Sequence, residues 1–177
     1  MRCFVAVDIP EEIKNKIKEV QQEFSSFDAK LVEPKNLHFT LKFLGEISEN
    51  NIESISKKLT DVARSVQPFN IQLSGMGAFP NLSYIRVVWV SALSDDFINL
   101  HKSISSALPG NNKEAKPHLT IARIRSPRGK DIIAKIIRRY EQASFGTMPV
   151  NKICLKKSTL TPRGPIYEDI KVFELKK

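Results

Sequence analysis

His38-Phe39-Thr40-Leu41-Lys42-Phe43-Leu44 and, 80 residues further on, His118-Leu119-Thr120-Ile121-Ala122-Arg123-Ile124 share one pattern. Side chains of a β-strand point alternately to its two faces, so His38, Thr40 and Lys42 fall on one side of the first stretch and Phe39, Leu41 and Phe43 on the other. The second stretch repeats this, with His118 and Thr120 opposite Leu119 and Ile121. Each strand has an apolar back suited to a core and a polar front carrying an imidazole with a hydroxyl two residues on. The chain has three histidines, and two hold the same place in this pattern. The third, His101, falls in a helix one turn after Phe97 and reads as a histidine at the rim of a buried face.

The rest of the chain is organised around these two strands. Residues 3–8 are rich in β-branched and aromatic side chains and predict a strand. Pro10, Glu11 and Glu12 open a helix, because proline suits the first turn and carboxylates the positive end of the helix dipole. Ile13, Ile17, Val20 and Phe24 form its apolar stripe. The first histidine strand runs over 37–44 and Gly45 ends it. A second helix over 51–66 buries Ile52, Ile55, Leu59, Val62 and Ala63. Residues 69–73 and 84–90 predict strands, and 74–81, with its glycines, proline and asparagine, predicts the hairpin loop between them.

Ser94 and Asp95 cap a third helix with Phe97, Leu100, Ile104 and Leu108 inward, stopped at Pro109-Gly110. Residues 110–113 form a polar loop before the second histidine strand, 118–124, which Pro127-Arg128-Gly129 punctuates. A fourth helix spans 130–140, and strands follow at 150–155 and 170–175. The resulting order, β-α-β-α-β-β-α-β-α-β-β, puts one H-x-T strand in each half. It predicts an α+β fold in which two pseudo-symmetric lobes of antiparallel sheet, with outer helices, flank a central cleft, all within a single domain over 1–177.

Composition excludes several classes. At 177 residues, 41% hydrophobic and 27% charged, the chain is globular rather than disordered or fibrous. No apolar run approaches the ~18 residues of a membrane helix. Asp8, Pro10, Glu11 and Glu12 interrupt the start where a signal peptide is apolar. A cytoplasmic protein without a membrane partner is expected. Two cysteines, Cys3 and Cys154, are too few for a disulfide framework, lack paired-ligand spacing and read as buried free thiols. Against 19 acidic residues stand 28 Lys and Arg, a net charge of +9 that favours a polyanionic partner.

Two imidazole–hydroxyl fronts suit the chemistry of a phosphodiester. One group must take a proton from the attacking oxygen while another protonates the departing one, and histidine, with a pKa near 6.5, serves either role. A hydroxyl beside each imidazole can donate to a non-bridging phosphate oxygen. A zinc site would want three or four ligands, and position 42 is Lys and position 122 Ala where a carboxylate would be needed, so no metal and no cofactor are expected.

His38-Phe39-Thr40-Leu41-Lys42-Phe43-Leu44-Gly45-Glu46 and Pro117-His118-Leu119-Thr120-Ile121-Ala122-Arg123 resemble the paired signatures of the 2H phosphoesterase superfamily. Within it the chain is similar to the RNA 2′,3′-cyclic phosphodiesterases, historically called 2′-5′ RNA ligases. The likeness extends to the start, Arg2-Cys3-Phe4-Val5-Ala6-Val7-Asp8-Ile9-Pro10, and to Leu160-Thr161-Pro162-Arg163-Gly164-Pro165-Ile166-Tyr167-Glu168. The resemblance implies metal-independent hydrolysis of a terminal 2′,3′-cyclic phosphate to a 2′-phosphomonoester, with 2′-5′ ligation as the reverse. It implies His38 as proton donor, His118 as proton acceptor, and Thr40 and Thr120 as ligands of the phosphate oxygens. Lys42, on the polar front, adds positive charge near the phosphate. Arg123 matches the arginine after the second motif, although strict alternation puts it on the apolar face.

The implied partner is RNA with 2′,3′-cyclic phosphate ends, tRNA fragments among them, acted on by a monomer. Phe79 or Tyr84 would stack the terminal base. Two alternatives remain at this point: a 3′-exonuclease of the same superfamily, and a non-catalytic basic RNA-binding module.

Overall fold

The computed structural model describes residues 1–92, 94–110 and 116–176. The polar loop read at 110–113 lies, beyond Gly110, outside the described residues. In chain order the elements are β1 (Arg2–Asp8), α1 (Glu11–Gln21), β2 (Ala29–Leu31), β3 (His38–Glu46), α2 (Ile52–Ser65), β4 (Phe69–Asn81), β5 (Tyr84–Ala92), α3 (Asp95–Ala107), β6 (His118–Ile124), α4 (Lys130–Arg139), β7 (Ser144–Val150), β8 (Lys152–Thr161) and β9 (Gly164–Glu174). No helix among the described residues is long and apolar enough to cross a membrane.

The strands form one antiparallel sheet in the order β7-β4-β5-β6-β3-β1-β8-β9, with β2 on β6 beside β3. Its two halves, β7-β4-β5-β6 and β3-β1-β8-β9, meet where Phe39 of β3 pairs with Leu119 of β6. Each of these residues directly follows its histidine, so a pseudo-twofold passes between equivalent positions. From that point β3 and β6 diverge, and β2 runs along β6 in the space that opens. The helices obey the same symmetry. The helix after β1, α1, packs on β6 and β7 of the far half, and α3, after β5, packs on β3 of the other. The inner residues Ile13 and Ile17 of α1, Leu59 of α2, Phe97 and Ile104 of α3 and Ile133 of α4 are buried against the apolar back of the sheet. Phe97 meets Phe39 edge-on at 5.4 Å. The helix starts are those read from the sequence: Glu11 and Glu12 lie in the first turn of α1, and Ser94 Oγ accepts from the Phe97 N–H at 3.3 Å.

Four expectations are corrected. Residues 74–81 are strand rather than loop, continuing β4 to Asn81. Gly75, at φ +80°, sits where the β4–β5 register shifts, so its freedom serves a bulge rather than a turn. The turn itself is Leu82-Ser83, where Asn81 Oδ1 accepts from the N–H of Ser83 and of Tyr84. Gly45 does not end β3 but pairs with Cys3 beside another register shift. Strands β2 and β7 were not anticipated, the first three residues long, the second an edge strand holding Gly146 and Pro149. Finally, β8 and β9 extend well beyond 150–155 and 170–175 into a long hairpin turning at Pro162-Arg163. Cys3 and Cys154 are buried free thiols, as expected.

Candidate active site

A cleft of about 570 Å³ opens where β3 and β6 part, and His38, Thr40, His118 and Thr120 all line it. The two imidazoles are held alike. His38 Nδ1 donates to the Asn36 carbonyl at 2.7 Å, and His118 Nδ1 donates to the Lys116 carbonyl at 2.6 Å. Each bond reaches back two residues, and because a carbonyl only accepts, each fixes the proton on Nδ1 and leaves Nε2 for the cleft. His38 Nε2 lies 3.0 Å from Thr40 Oγ1. In an antiparallel pair centred on Phe39 and Leu119, His38 falls toward Thr120 and Thr40 toward His118.

A bulge in each strand sets what comes next. Thr40 pairs with Ala6 and Lys42 with Val5, so one residue of β3 is extra; Thr120 pairs with Trp89 and Ala122 with Val88, so one residue of β6 is extra at the same place. An extra residue reverses the alternation. Leu41 and Lys42 are both buried, as are Ile121 and Ala122, and Phe43 and Arg123 swing to the front, where both line the cleft. Arg123 is therefore brought into the cleft although strict alternation put it on the back.

Lys42 goes the other way, which corrects its expected place by the phosphate. The same bulge turns it away from the cleft, its residue only 5% exposed, and Nζ donates to the carbonyls of Ser105 and Leu108, each at 3.1 Å. Its charge serves the last turn of α3, where helix carbonyls lack partners and the dipole is negative. Burial holds its ammonium below the usual lysine range. His101, half-buried on α3, is pushed below the usual imidazole value by burial and then by the charge of Lys42.

Phe79 lines the cleft and meets His118 edge-on at 5.0 Å. Tyr84 does not line it; exposed at the hairpin end, it carries the Arg86 guanidinium over its ring at 5.6 Å. Residues that the sequence reading missed complete the His38 side. Phe4 packs on His38 at 5.0 Å and Tyr167 meets it edge-on at 5.2 Å. Asn36, whose carbonyl holds the imidazole, also donates from Nδ2 to the Pro165 carbonyl and so ties His38 to the β8–β9 hairpin. Tyr167 lay within the segment that carried the family likeness, but nothing about its spacing pointed at His38.

The two halves differ in electrostatics. Burial pushes His38 below the usual imidazole value; the Asn36 carbonyl and then the Asp8 carboxylate oppose this, while Lys156 and His118 add to it. Asp8, the register partner of His38, belongs to a cluster with Cys154 and Asp169 that has the donors for a cation. The Lys156 ammonium already occupies it, 3.0 Å from Asp8 Oδ2 and 2.5 Å from Asp169 Oδ1. Burial works against that ammonium, but its hydrogen bonds to Asp169 and Asp8 outweigh burial and hold it above the usual lysine range. The Cys154 thiol, pushed up to about 12 by burial and then by Asp8, stays protonated.

Comparison with known proteins agrees with this internal duplication. The family model for LigT-like phosphoesterases matches twice, over residues 7–89 and 90–167, one match for each H-x-T strand. The chain is 39% identical to the RNA 2′,3′-cyclic phosphodiesterase of Methanothermobacter thermautotrophicus, with 99% of each chain covered. It is 42% identical to the protein of the same name from Methanocaldococcus jannaschii, covering 97% of this chain and 99% of that one. Among solved structures, TT0787 of Thermus thermophilus superimposes with a TM-score of 0.85 at 34% identity, over 99% of this chain and 98% of that one. LigT of E. coli in its apo form, at 24% identity and a TM-score of 0.79 over 99% and 98% of the two chains, shares the fold. With both halves matched and near-complete coverage of these relatives, the chain belongs to the LigT-like phosphoesterase family.

Proposed function

We propose that this protein hydrolyses the 2′,3′-cyclic phosphate at the end of an RNA to a 2′-phosphomonoester, within one bilobal domain that supplies one H-x-T strand per lobe. One observation carries the reading: two imidazoles with Nδ1 pinned to a backbone carbonyl turn Nε2 into the same cleft, each with a threonine on its own strand. His118 takes a proton from the attacking water through Nε2. The hydroxyls of Thr40 and Thr120 donate to the non-bridging oxygens as charge builds on phosphorus, and the Arg123 charge supports the anion. His38 delivers its Nε2 proton to the departing 3′ oxygen. Burial disfavours that proton, but a phosphodiester's negative charge entering against Nε2 favours it, so the substrate itself loads the donor.

No step needs a metal or a nucleotide cofactor, because proton transfer and oxyanion stabilisation come from side chains. Replacing water by a 5′-hydroxyl in the same sequence of transfers gives a 2′-5′ linkage, the ligation reaction. The substrates are RNA fragments with cyclic phosphate ends, including tRNA fragments, met by a monomer in the cytoplasm.

The test is ³¹P NMR of a short RNA with a 2′,3′-cyclic phosphate end, incubated with protein and excess EDTA. A 2′-phosphate signal is expected, and its absence with wild-type protein overturns the reading. A substrate with sulfur at the bridging 3′ position assigns the roles. A thiolate leaves without protonation, so this substrate restores His38→Ala and not His118→Ala. Rescue of His118→Ala instead would reverse donor and acceptor.

A further inference from the structure

The four strands of the half β7-β4-β5-β6 contain no aspartate or glutamate, whereas Asp8, Glu46, Glu168, Asp169 and Glu174 lie on strands of the other half. Arg2, which lines the cleft from β1, has Glu46 as its register partner, and Glu33, also in the cleft lining, pairs with Lys35 at 3.0 Å. The front of β4 and β5 is aromatic instead. Trp89 is the register partner of Thr120, and Phe79 packs on Trp89 at 5.2 Å. Past Phe79 the register shifts: Phe79 pairs with Val87 and Pro80 with Ile85, so Arg86 is an extra residue of β5. Val87 lines the cleft and Ile85 is buried in the core, so Arg86 and Tyr84 continue the cleft face, both exposed. Arg86 donates from Nη1 to the Tyr84 hydroxyl at 3.3 Å, its guanidinium lies over the ring, and it has no carboxylate partner among the described residues. Ring and cation on a strand surface without carboxylates suit single-stranded nucleic acid of any sequence. Tyr84 lies five residues along β5 from Trp89, about 15 Å, farther than a nucleotide reacting beside Thr120 extends.

The chemistry decides which strand this face holds. Displacement at phosphorus puts the attacking and departing oxygens on opposite sides. With His38 on the departing 3′ oxygen, the nucleotide that carries the cyclic phosphate lies toward β3, and the attacking group lies toward His118 on β6. In hydrolysis that group is water, which needs no extended surface. In ligation it is the 5′-hydroxyl of a second RNA, whose chain runs away from phosphorus on the same side. We propose that the exposed end of the β4–β5 face binds this second strand, Tyr84 stacking one of its bases and Arg86 pairing with one of its phosphates. This rests on the proton-transfer roles and the ligation reading above. In that reaction the 5′ oxygen bonds to phosphorus and its proton passes to His118 Nε2, while the bond to the 3′ oxygen breaks and that oxygen takes the proton of His38.

The test uses one donor, a trinucleotide with a 2′,3′-cyclic phosphate end and a 5′-phosphate that keeps it from acting as acceptor. The two acceptors are a nucleoside and a trinucleotide, each with a free 5′-hydroxyl. In ligation the acceptor KM should be on the order of tenfold lower for the trinucleotide than for the nucleoside. Tyr84→Ala and Arg86→Gln should each raise the trinucleotide's KM about tenfold, and Arg86→Gln should reduce its log–log salt slope by about 0.7, the share of one phosphate. Hydrolysis of the donor should keep its wild-type kcat/KM in both variants. An acceptor KM unchanged in the variants overturns the proposal, as does a salt slope unchanged in Arg86→Gln. A matching loss in hydrolysis also overturns it, since the donor strand would then lie on this face. If the donor is hydrolysed and never ligated, it is the ligation reading that fails; if neither reaction occurs, the cyclic-phosphate reading fails. In either case the Kd of the 5′-hydroxyl trinucleotide decides the surface: weaker binding by the variants upholds it, and unchanged binding overturns it.

Discussion

The two halves of the cleft are built to one plan and finished differently. In both, an imidazole donates a hydrogen bond from Nδ1 to the carbonyl two residues back, a threonine follows on the same face, and a one-residue bulge then reverses the strand's alternation. The finish on β3 is aromatic: His38 is wedged between Phe4 and Tyr167 and touches Thr40, and the bulge delivers Phe43, 72% exposed, to the cleft. On β6 the finish is charged: His118 meets the edge of Phe79, and the bulge delivers Arg123. A duplicated cradle supplies two equivalent imidazoles, but the acid–base chemistry proposed for them needs the pair unequal. The inequality comes from what surrounds each cradle rather than from the cradle itself.

The most severe way to break the comparison is to remove one imidazole at a time. His38→Ala and His118→Ala should each lower kcat about 10²–10⁴-fold on an RNA cyclic phosphate, the range for one positioned general acid or base. The double variant should lose little beyond the worse single one, because a concerted pair acts as a unit. Near-wild-type turnover in either single variant would sink the two-imidazole mechanism.

How far the sequence carries this picture depends on where its period holds. The alternation of His38, Thr40, His118 and Thr120 with apolar neighbours was legible because each lies before its bulge. Past the bulge the reading fails, for Lys42 and Arg123 in opposite directions, since a single extra residue leaves no mark in the sequence when it is Leu41 or Ile121. Where a bulge does carry a mark, as at Gly75, the glycine is indistinguishable from a turn glycine, and the long β4 was read as a loop. Arg2, Phe4 and Tyr167 were invisible as site residues for a different reason. They reach His38 or the cleft through pairings of β1, β8 and β9 that no local pattern encodes.

A smaller break concerns the residue the bulge hides, Lys42 on β3 and Ala122 on β6. Lys42→Met keeps the length and the apolar stem but leaves the Ser105 and Leu108 carbonyls without their ammonium donor. It should destabilise the protein by about 1–3 kcal/mol, the cost of an orphaned buried polar group. Denaturant titration should show this as a lower midpoint with an unchanged slope, and kcat should stay near wild type. A variant of wild-type stability that has lost turnover would return Lys42 to the phosphate.

The finest test asks which imidazole gives the proton. Asp8 pulls the pKa of His38 up, against burial and against the charges of Lys156 and His118. Asp8→Asn removes that pull, so the His38 imidazole of the free enzyme loses its proton at a lower pH. The effect should be modest, because Asp8 is partly exposed and already shares its charge with Lys156. If His38 is the donor, kcat/KM well above both pKa values depends on the fraction of His38 still protonated. It falls in the variant, while the acid side, governed by deprotonation of His118, is unmoved. If His38 is the base, the acid side rises, because more of it is deprotonated there, and the alkaline side stays put. The two signs differ whichever imidazole has the lower pKa, and they survive coupling between the pair, since only the limits are compared. An alkaline loss with an unchanged acid limb is the expected result, and it would tie the chemical inequality of the two halves to the single carboxylate that lies across from His38.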